Sequence, residues 1–252
     1  MASLFHTVLY QPLFNLFIGL YNVLPGHDLG LVILAVTILT RILLYPLTAA
    51  SIKAQKGLQD LQPKLDAIRK EFKDDKQKQA QATMELYKNN KINPLTSCLP
   101  MLVQLPLLLA LFWVMQDGLA SKDVAKNLYS FVGNPGTLNI MSFGFLNLAI
   151  PNIALALLSG GAQYVQAKMM SRKSPPKEAG AGAKDEDMAA MMNKQMLYVM
   201  PVMTVLIGLK LPAGLSLYWF FSTLLMILQQ WYVFRKSQTP MTNDQVGEST
   251  KS

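Results

Sequence analysis

The sequence predicts an all-α integral membrane protein with five transmembrane helices, an N-terminal interfacial helix and a cytoplasmic helical hairpin. Hydrophobic residues make up 51% of the 252 residues and charged residues only 15%, whereas soluble domains carry about 25% charged residues. Several apolar runs approach the roughly 20 residues that cross a bilayer, and the charged residues lie between these runs. This pattern argues against a disordered, simple soluble or nucleic-acid-binding protein, despite the formal net charge of +8.

Five apolar stretches are predicted to be the transmembrane helices. They are residues 29–47, 95–116, 150–168, 195–210 and 213–234. The first stretch contains a single charged residue, Arg41. The apolar part of the fourth, residues 196–209, spans only about 21 Å as a helix, which is short for a hydrocarbon core of about 30 Å.

The N-terminal segment, residues 1–28, is apolar but is interrupted by three amides. Gln11, Asn15 and Asn22 fall within about 60° of one another on a helical wheel. A helix with one narrow polar stripe is typical of the membrane interface, and the Pro-Gly pair at 25–26 is expected to end it. A sixth spanning helix is the alternative for this segment.

The polar segment over residues 48–94 is predicted to be the helical hairpin. Its apolar residues recur at spacings of three and four, which is the pattern of an amphipathic helix. These residues are Leu58, Leu61, Leu65, Ile68 and Phe72. Breaks are expected at Pro63 and at residues 72–76.

The remaining segments are predicted to be loops outside the bilayer. Residues 117–149 form an external loop with little charge. Low-complexity composition predicts a flexible cytoplasmic loop over residues 169–194 and a disordered cytoplasmic tail over residues 235–252. Nineteen of the 23 Lys and Arg residues lie in the hairpin, residues 168–194 and the tail. The positive-inside rule therefore places these segments in the cytoplasm and the N-terminus outside.

Arg41 is the most informative single residue. A central arginine costs about 2.5–3.5 kcal/mol on membrane-insertion scales. The predicted transmembrane segments contain no acidic residue, and the nearest acids, Asp28 and Asp117, lie at helix ends. An internal salt bridge is therefore disfavoured. A hydrated cavity and a side chain that snorkels to the headgroups both remain open from the residues alone.

The chain offers no residues typical of catalysis or metal binding. One cysteine excludes a disulfide framework and a Cys-based zinc site. A Gly-rich phosphate-binding loop is missing, and both histidines precede the first predicted transmembrane helix, so a His-based metal pair within the bilayer is excluded. The sequence thus predicts no enzyme, no metal and no cofactor.

Four stretches of the sequence together resemble one protein family. They are TRILLYPLTAASIKAQ at 40–55, LQPKLDAIRKEFKDDKQK at 61–78, LYKNNKINPLTSCLPMLVQLPLLLALFWV at 86–114 and LPAGLSLYWFFSTLLMILQQWYV at 211–233. In this order, and with an intramembrane arginine in the first, they resemble the YidC family of membrane protein insertases. The resemblance is to the short bacterial form, without the large external domain.

The resemblance implies an insertase or chaperone that works without ATP hydrolysis. Such a protein moves short hydrophilic tails through a hydrated groove open to the cytoplasm and releases apolar segments laterally into lipid. The predicted groove positions are Arg41, Thr37, Gln104, Gln163, Tyr218 and Trp219. The resemblance favours a groove role for Arg41, Thr37, Gln163 and Trp219. Gln104 and Tyr218 are included because their polar atoms need partners in the bilayer and could line a wet cavity together with Arg41. Ordinary interhelical hydrogen bonding is the alternative for the polar members of this set.

The resemblance also implies the location and the partners. The location is the bacterial plasma membrane, crossed several times, and the partners are nascent membrane proteins and the lipid bilayer. The ribosome and the Sec translocon are further candidates, and no specific nucleic acid is expected. The rival function is a channel or small-solute transporter that uses Arg41 as an anion site.

Overall fold

The computed structural model describes residues 2–120, 124–170 and 195–236. The predicted flexible loop (169–194) and tail (235–252) lie outside this range, apart from the first two residues of each. Within the described residues the chain is mostly helical, as predicted. One exception is a short antiparallel hairpin of strands β1 (Met141–Ser142) and β2 (Leu146–Asn147), which pairs Met141 with Asn147 and Ser142 with Leu146.

The helices follow one another with short connections. They are α1 (Ala2–Phe5), α2 (Gln11–Val23), α3 (Leu29–Leu43), α4 (Tyr45–Glu71), α5 (Lys76–Asn89), α6 (Pro94–Ala120), α7 (Ile153–Met170), α8 (Met200–Gly208) and α9 (Ala213–Lys236). π-helical turns at His6–Tyr10 and Gln195–Val199 lead into α2 and α8. Short 3-10 helices occupy Pro25–His27 and Val124–Asn127.

A bend of 68° separates α3 from α4. Tyr45 begins α4, and Pro46 in the first turn has no N–H to continue the helical ladder. α3 therefore ends at Leu43, and the Leu44 N–H bonds back to the Thr40 carbonyl at 3.0 Å. Among the described residues, no helix taken singly is both long and apolar enough to cross a bilayer. The bent α3–α4 pair meets that requirement jointly, on length and composition only.

α4 and α5 form an arm that contains the predicted amphipathic stripe. Leu61 and Leu65 of this stripe are buried. The expected break at Pro63 is wrong, because α4 runs through it. Pro63 is exposed, so water can bond the carbonyl that the missing N–H leaves free, while the buried leucines on either side hold the helix. The turn to α5 falls at residues 72–75, within the other predicted break.

Most of the buried hydrophobic residues gather at one end of the helical bundle, where α3 and α9 begin. We call this end, which contains Asp28, the Asp28 end. The cluster joins α2, the first half of α3, the last half of α6 and the start of α9. A second, small cluster of Ile52, Met226 and Val233 lies at the base of the arm. The two apolar regions leave a polar layer between them.

The amides of α2 bind a neighbouring loop. Asn15 is 4% exposed; its side-chain N–H donates to the Asn127 carbonyl at 2.9 Å, and its oxygen accepts from the Tyr129 N–H at 2.7 Å. Asn22 donates to the Gly133 carbonyl at 2.7 Å. Two of the three amides that form the predicted stripe thus attach the loop to α2. The position of α2 in a bilayer stays a prediction.

Asp28 links the start of α3 to the β-hairpin. Its carboxylate caps α3 by accepting from Gly30 N at 2.7 Å and Leu31 N at 3.3 Å. It also accepts from the Ser142 hydroxyl and, at 2.5 Å, from Phe143 N. Close approach requires glycine at position 30, since a Cβ there would overlap the Ser142 hydroxyl.

These hydrogen bonds set the acidity of Asp28, which precedes the first predicted transmembrane segment. Burial alone would raise its pKa. The bonds from the Ser142 side chain and from three backbone N–H groups stabilise the carboxylate and outweigh burial, so the pKa lies below its ordinary value of 3.8.

We predict that Asp28→Ala lowers the free energy of unfolding by about 1–2 kcal/mol, because it removes a helix cap and the tie to the hairpin. Asp75→Ala is the matched control, since Asp75 caps α5 through Lys78 N at 3.0 Å and its side chain bonds locally, to Lys78 and Gln77. Thermal unfolding in detergent should show the larger loss for Asp28→Ala. Because the folded-state pKa is depressed, the advantage of the unchanged chain should disappear as the pH falls through that pKa, below 3.8. Equal losses in the two variants, or a pH-independent difference, would contradict this role.

Candidate functional site

Arg41 lies in the last turn of α3, in the polar layer between the two apolar clusters. The residue as a whole is half-buried. One terminal nitrogen, Nη2, donates to the Ser222 hydroxyl, and the other, Nη1, lies 3.9 Å from the Met226 sulfur. Both contacts are neutral groups on α9.

Arg41 has no carboxylate partner among the described residues, and the ion pairs found there, such as Arg69 with Asp66 and Lys78 with Asp75, do not involve it. The guanidinium carries five N–H donors. One hydroxyl and one thioether cannot satisfy them all, so the remaining donors require water or a ligand. Arg41 is therefore a cation whose position is fixed by neutral groups and whose charge is free to attract a ligand.

The partners of Arg41 belong to one face of α9. Tyr218, Ser222 and Met226 recur every four residues and therefore line the same side of the helix. The Tyr218 hydroxyl accepts from Gln104 Nε2 of α6 at 2.7 Å and lies one turn from Ser222 on the same face of α9. Three predicted groove residues, Arg41, Gln104 and Tyr218, thus lie around Ser222. We call these four residues the polar cluster.

Thr37 lies one turn before Arg41 but does not share its contacts. It is fully buried and donates its hydroxyl to the Ile33 carbonyl of its own helix at 2.6 Å. This bond satisfies the hydroxyl within α3. Thr37 therefore lies at the boundary between the polar layer and the large apolar cluster, and its hydroxyl hydrogen is not available to a ligand.

Gln163 and Trp219 occupy other positions in the structure. Gln163 of α7 accepts a hydrogen bond from the Thr204 hydroxyl of α8, and no hydrogen bond joins it to the polar cluster within the described ranges. Trp219 is half-buried on α9 beside Tyr218, and its carbonyl accepts from Thr223 at 2.8 Å. The structure thus brings three of the six predicted groove residues together and leaves the other three apart.

Sequence reasoning missed Ser222 and Met226. Each is unremarkable by itself, but both follow Tyr218 at four-residue spacing in an apolar helix. That spacing is the signal that could have placed them opposite the arginine. Thr204, the partner of Gln163, carries no comparable signal in its own helix.

A further polar pair fastens the arm to α9. Gln229 Nε2 donates to the Thr48 hydroxyl at 2.7 Å and lies 3.3 Å from the Tyr45 carbonyl. Lys56 lies over the ring of Phe234, 5.7 Å from its centre. The base of α4 therefore lies against the last turns of α9.

No metal site lies at the polar cluster in the part of the chain that the structure describes. That part contains no group of three or more His, Cys, Asp or Glu residues placed to hold a metal ion. A shallow cleft of about 340 Å³ lies on the arm, lined mainly by Met84, Tyr87 and Ile92. It is separate from Arg41.

Comparison with known proteins identifies the family. A family model described as "60Kd inner membrane protein" matches residues 19–240. A protein named "Membrane protein insertase YidC" from Fusobacterium nucleatum subsp. nucleatum is 36% identical over 211 residues, covering 83% of this chain and 87% of that protein. The chain belongs to the YidC family. Family membership makes it a transmembrane protein of membrane protein biogenesis, associated with the bacterial inner membrane.

Other YidC relatives are longer than this chain. A protein of the same name from Methylobacillus flagellatus is 32% identical over 232 residues, which cover 92% of this chain but 37% of that protein. The fold also matches a solved structure titled "Active YidC insertase crystal structure with the first transmembrane domain resolved". That match has a TM-score of 0.60 at 22% identity and covers 90% of this chain and 46% of the other.

We predict that Tyr218→Phe destabilises this YidC-family protein by about 1–3 kcal/mol, because it removes the acceptor of the Gln104 amide inside the bundle. Thermal unfolding in detergent measures the loss. Tyr232→Phe on the same helix is the matched control, since Tyr232 is 53% exposed and its change should stay within about 0.5 kcal/mol. Similar losses for both variants would show that the Gln104–Tyr218 bond contributes little.

Proposed function

We propose that this protein is a membrane protein insertase that moves short hydrophilic tails of nascent membrane proteins through a hydrated groove and works without ATP hydrolysis. The observation that carries the proposal is Arg41, a cation in an apolar bundle without a carboxylate partner among the described residues. The names of the relatives support the insertase activity. The polar cluster supplies the chemistry by which a tail would be held.

In this proposal the five predicted segments cross the bilayer, with the arm in the cytoplasm and the Asp28 end outside. Nineteen of the 23 basic residues then lie on the cytoplasmic side. The groove opens toward the arm and is closed outside by the large apolar cluster. The N-terminus lies outside and the C-terminus in the cytoplasm.

Arg41 acts as a reversible holding point for an acidic tail. Two opposite charges about 4 Å apart attract by about 4 kcal/mol at an effective dielectric near 20, and by about 1 kcal/mol in bulk water. An internal carboxylate would cancel this attraction. The neutral partners Ser222 and Met226 orient the guanidinium without neutralising it.

The apolar segment of the substrate then leaves the groove sideways along α7 and α9 into lipid. Burial of about 20 apolar residues in the bilayer supplies the driving force. The membrane potential adds about 2.3 kcal/mol per 100 mV for each acidic group that moves outward. The short apolar run before residue 210 thins the local bilayer and shortens the path.

The arm receives the incoming chain before the groove does. It carries ten basic residues over positions 48–94 and has the apolar cleft at Met84, Tyr87 and Ile92. A nascent membrane protein offers apolar side chains that fit such a cleft. The ribosome and the Sec translocon are candidate partners at the same cytoplasmic side.

We predict that Arg41→Ala lowers insertion of a substrate with an acidic translocated tail by about tenfold or more, since about 1.4 kcal/mol corresponds to a factor of ten. Arg41→Lys should retain much of the activity because it keeps the charge. The measurement is protease protection of a small phage-coat-like substrate in liposomes that contain the purified protein. A substrate with a neutral tail is the control and should be affected little. Equal loss in Ala and Lys variants, or equal loss for both substrates, would argue against a charge role.

A second pair of variants tests the same charge without removing the arginine. Ser222→Asp places a carboxylate beside the guanidinium and should lower insertion of the acidic-tailed substrate as Arg41→Ala does. Ser222→Asn introduces a side chain of nearly the same size as aspartate but without its charge. This variant should insert the acidic-tailed substrate nearly as well as the unchanged protein. If the two variants behave alike, Arg41 does not act through its free charge.

We predict that a photo-crosslinker at Gln163 or Trp219 captures a stalled nascent chain, since both positions lie beside the proposed exit path on α7 and α9. Leu206 and Leu228, exposed apolar residues on α8 and α9, are the controls and should give mainly lipid adducts. Gel shifts of the crosslinked products measure the outcome. Adducts at the control positions, with none at Gln163 or Trp219, would place the path elsewhere.

A further inference from the structure

The loop at the Asp28 end has the composition of a membrane-contacting surface. Residues 124–152 contain one charged residue, Lys126, where an average soluble sequence of that length would contain about seven. Phe131 and Phe145 are nevertheless 81% and 78% exposed. A surface that presents aromatic rings and almost no charge is poorly suited to water.

Hydrogen bonds fix the backbone of the β-hairpin turn that carries Phe143 and Phe145. Phe143 has a positive φ of 53° and Gly144 one of 78°, and the Phe145 N–H bonds to the Ser142 carbonyl at 3.2 Å. A positive φ is unfavourable for phenylalanine. The Asp28 carboxylate holds this conformation through the Phe143 N–H at 2.5 Å. The turn between the two strands is therefore fixed, with the Phe143 ring beside Gly30 of α3 and the Phe145 side chain exposed.

Phe131 is ordered by a different contact. Its ring stacks on Tyr129, with 5.4 Å between the ring centres. The backbone on either side of it is fixed to α2, because Asn15 binds the Tyr129 N–H and Asn22 binds the Gly133 carbonyl. The bonds of Asp28 to the β-hairpin and the bonds of α2 to the segment around Phe131 thus hold exposed aromatic rings at the same end of the bundle.

The exposed apolar surface continues from the β-hairpin onto a helix of the bundle. Ile150 is 57% exposed, Ile153 67% and Leu157 57%, and the last two lie in the first turns of α7. In a transmembrane protein, exposed apolar residues on a bundle helix face lipid. The loop surface is therefore continuous along the chain with a lipid-facing helix.

We infer that Phe131, Phe143 and Phe145 lie in the headgroup region of the leaflet at the Asp28 end, so that the partner of this loop is the lipid surface. Aromatic side chains are enriched at that depth because their rings combine an apolar body with a polarisable face. The loop then lies flat on the bilayer and fixes the depth of α3 and α7. The inference rests on the transmembrane nature of the chain and does not depend on its insertase mechanism.

The test measures the depth of single spin labels in the full-length protein. The only cysteine, Cys98, is replaced by serine, and Phe131→Cys, Phe145→Cys and Thr137→Cys are labelled separately and reconstituted in phosphatidylglycerol–phosphatidylethanolamine liposomes. Thr137 is an exposed polar residue of the same loop and serves as the matched control. Power-saturation EPR compares collisions with oxygen, which concentrates in lipid, and with a water-soluble nickel chelate.

The expected result is a several-fold higher oxygen-to-nickel accessibility ratio at positions 131 and 145 than at position 137. Equal ratios at the three positions would overturn the inference, because the rings would then lie in water. Protection of positions 131 and 145 from both reagents would also overturn it and would indicate a second copy of the chain or another protein as the partner. Unchanged thermal unfolding of each labelled variant shows that its ratio belongs to the folded protein, and a variant that fails this criterion is replaced by a label at Met141, which is also exposed. Loss of insertase activity in the Arg41 variants would leave these depths unchanged.

Discussion

The structure is organised around an arginine that has no opposite charge to bind within the described ranges of the chain. A guanidinium in an apolar bundle is costly, and the usual remedy is a paired carboxylate. Here Ser222 and Met226 of α9 supply one hydroxyl and one sulfur, and Tyr218 and Gln104 extend the polar contacts to α6. Because these neutral groups fix the position of the side chain and leave its charge uncancelled, the free energy of the site depends on what else enters it.

The two halves of the bundle differ in how they are packed. At the Asp28 end, glycines allow close contact: a Cβ at Gly30 would overlap Ser142, and one at Gly214 would overlap the Met115 side chain. Leu148 and Ile150 carbonyls also receive the first N–H groups of α9. Toward the arm the helices are joined instead by polar contacts and one small apolar cluster. Water can therefore enter between the helices more easily on the arm side, where the packing is more polar, than at the closely packed Asp28 end.

Local pattern predicted the elements better than it predicted their partners. The stripe that contains Leu61 and Leu65 follows from three- and four-residue spacing, and both residues are buried as such a stripe requires. Arg41 is conspicuous because a charge within an apolar run is rare. Its partner Ser222 lies 181 residues away, and nothing in either local sequence specifies that pairing.

Three other features were beyond local reasoning for related causes. Pro63 was expected to break α4, but packing of the buried leucines beside it outweighs one lost backbone bond. The Asn15 amide reads as an interfacial polar group, whereas tertiary structure uses it to bind a loop 112 residues away. Gln163 needs a partner in an apolar helix, and sequence cannot show that this partner is Thr204.

Met226 contacts both Arg41 in the polar layer and the base of the arm. Its sulfur lies against the Arg41 guanidinium, and its side chain packs with Ile52 at the base of α4. A tilt of α4 would therefore reach the arginine through this thioether as well as through the short connection between α3 and α4. Methionine is unbranched and adapts its shape readily. The Met226 contact would therefore absorb small displacements of α4 and transmit only large ones to Arg41.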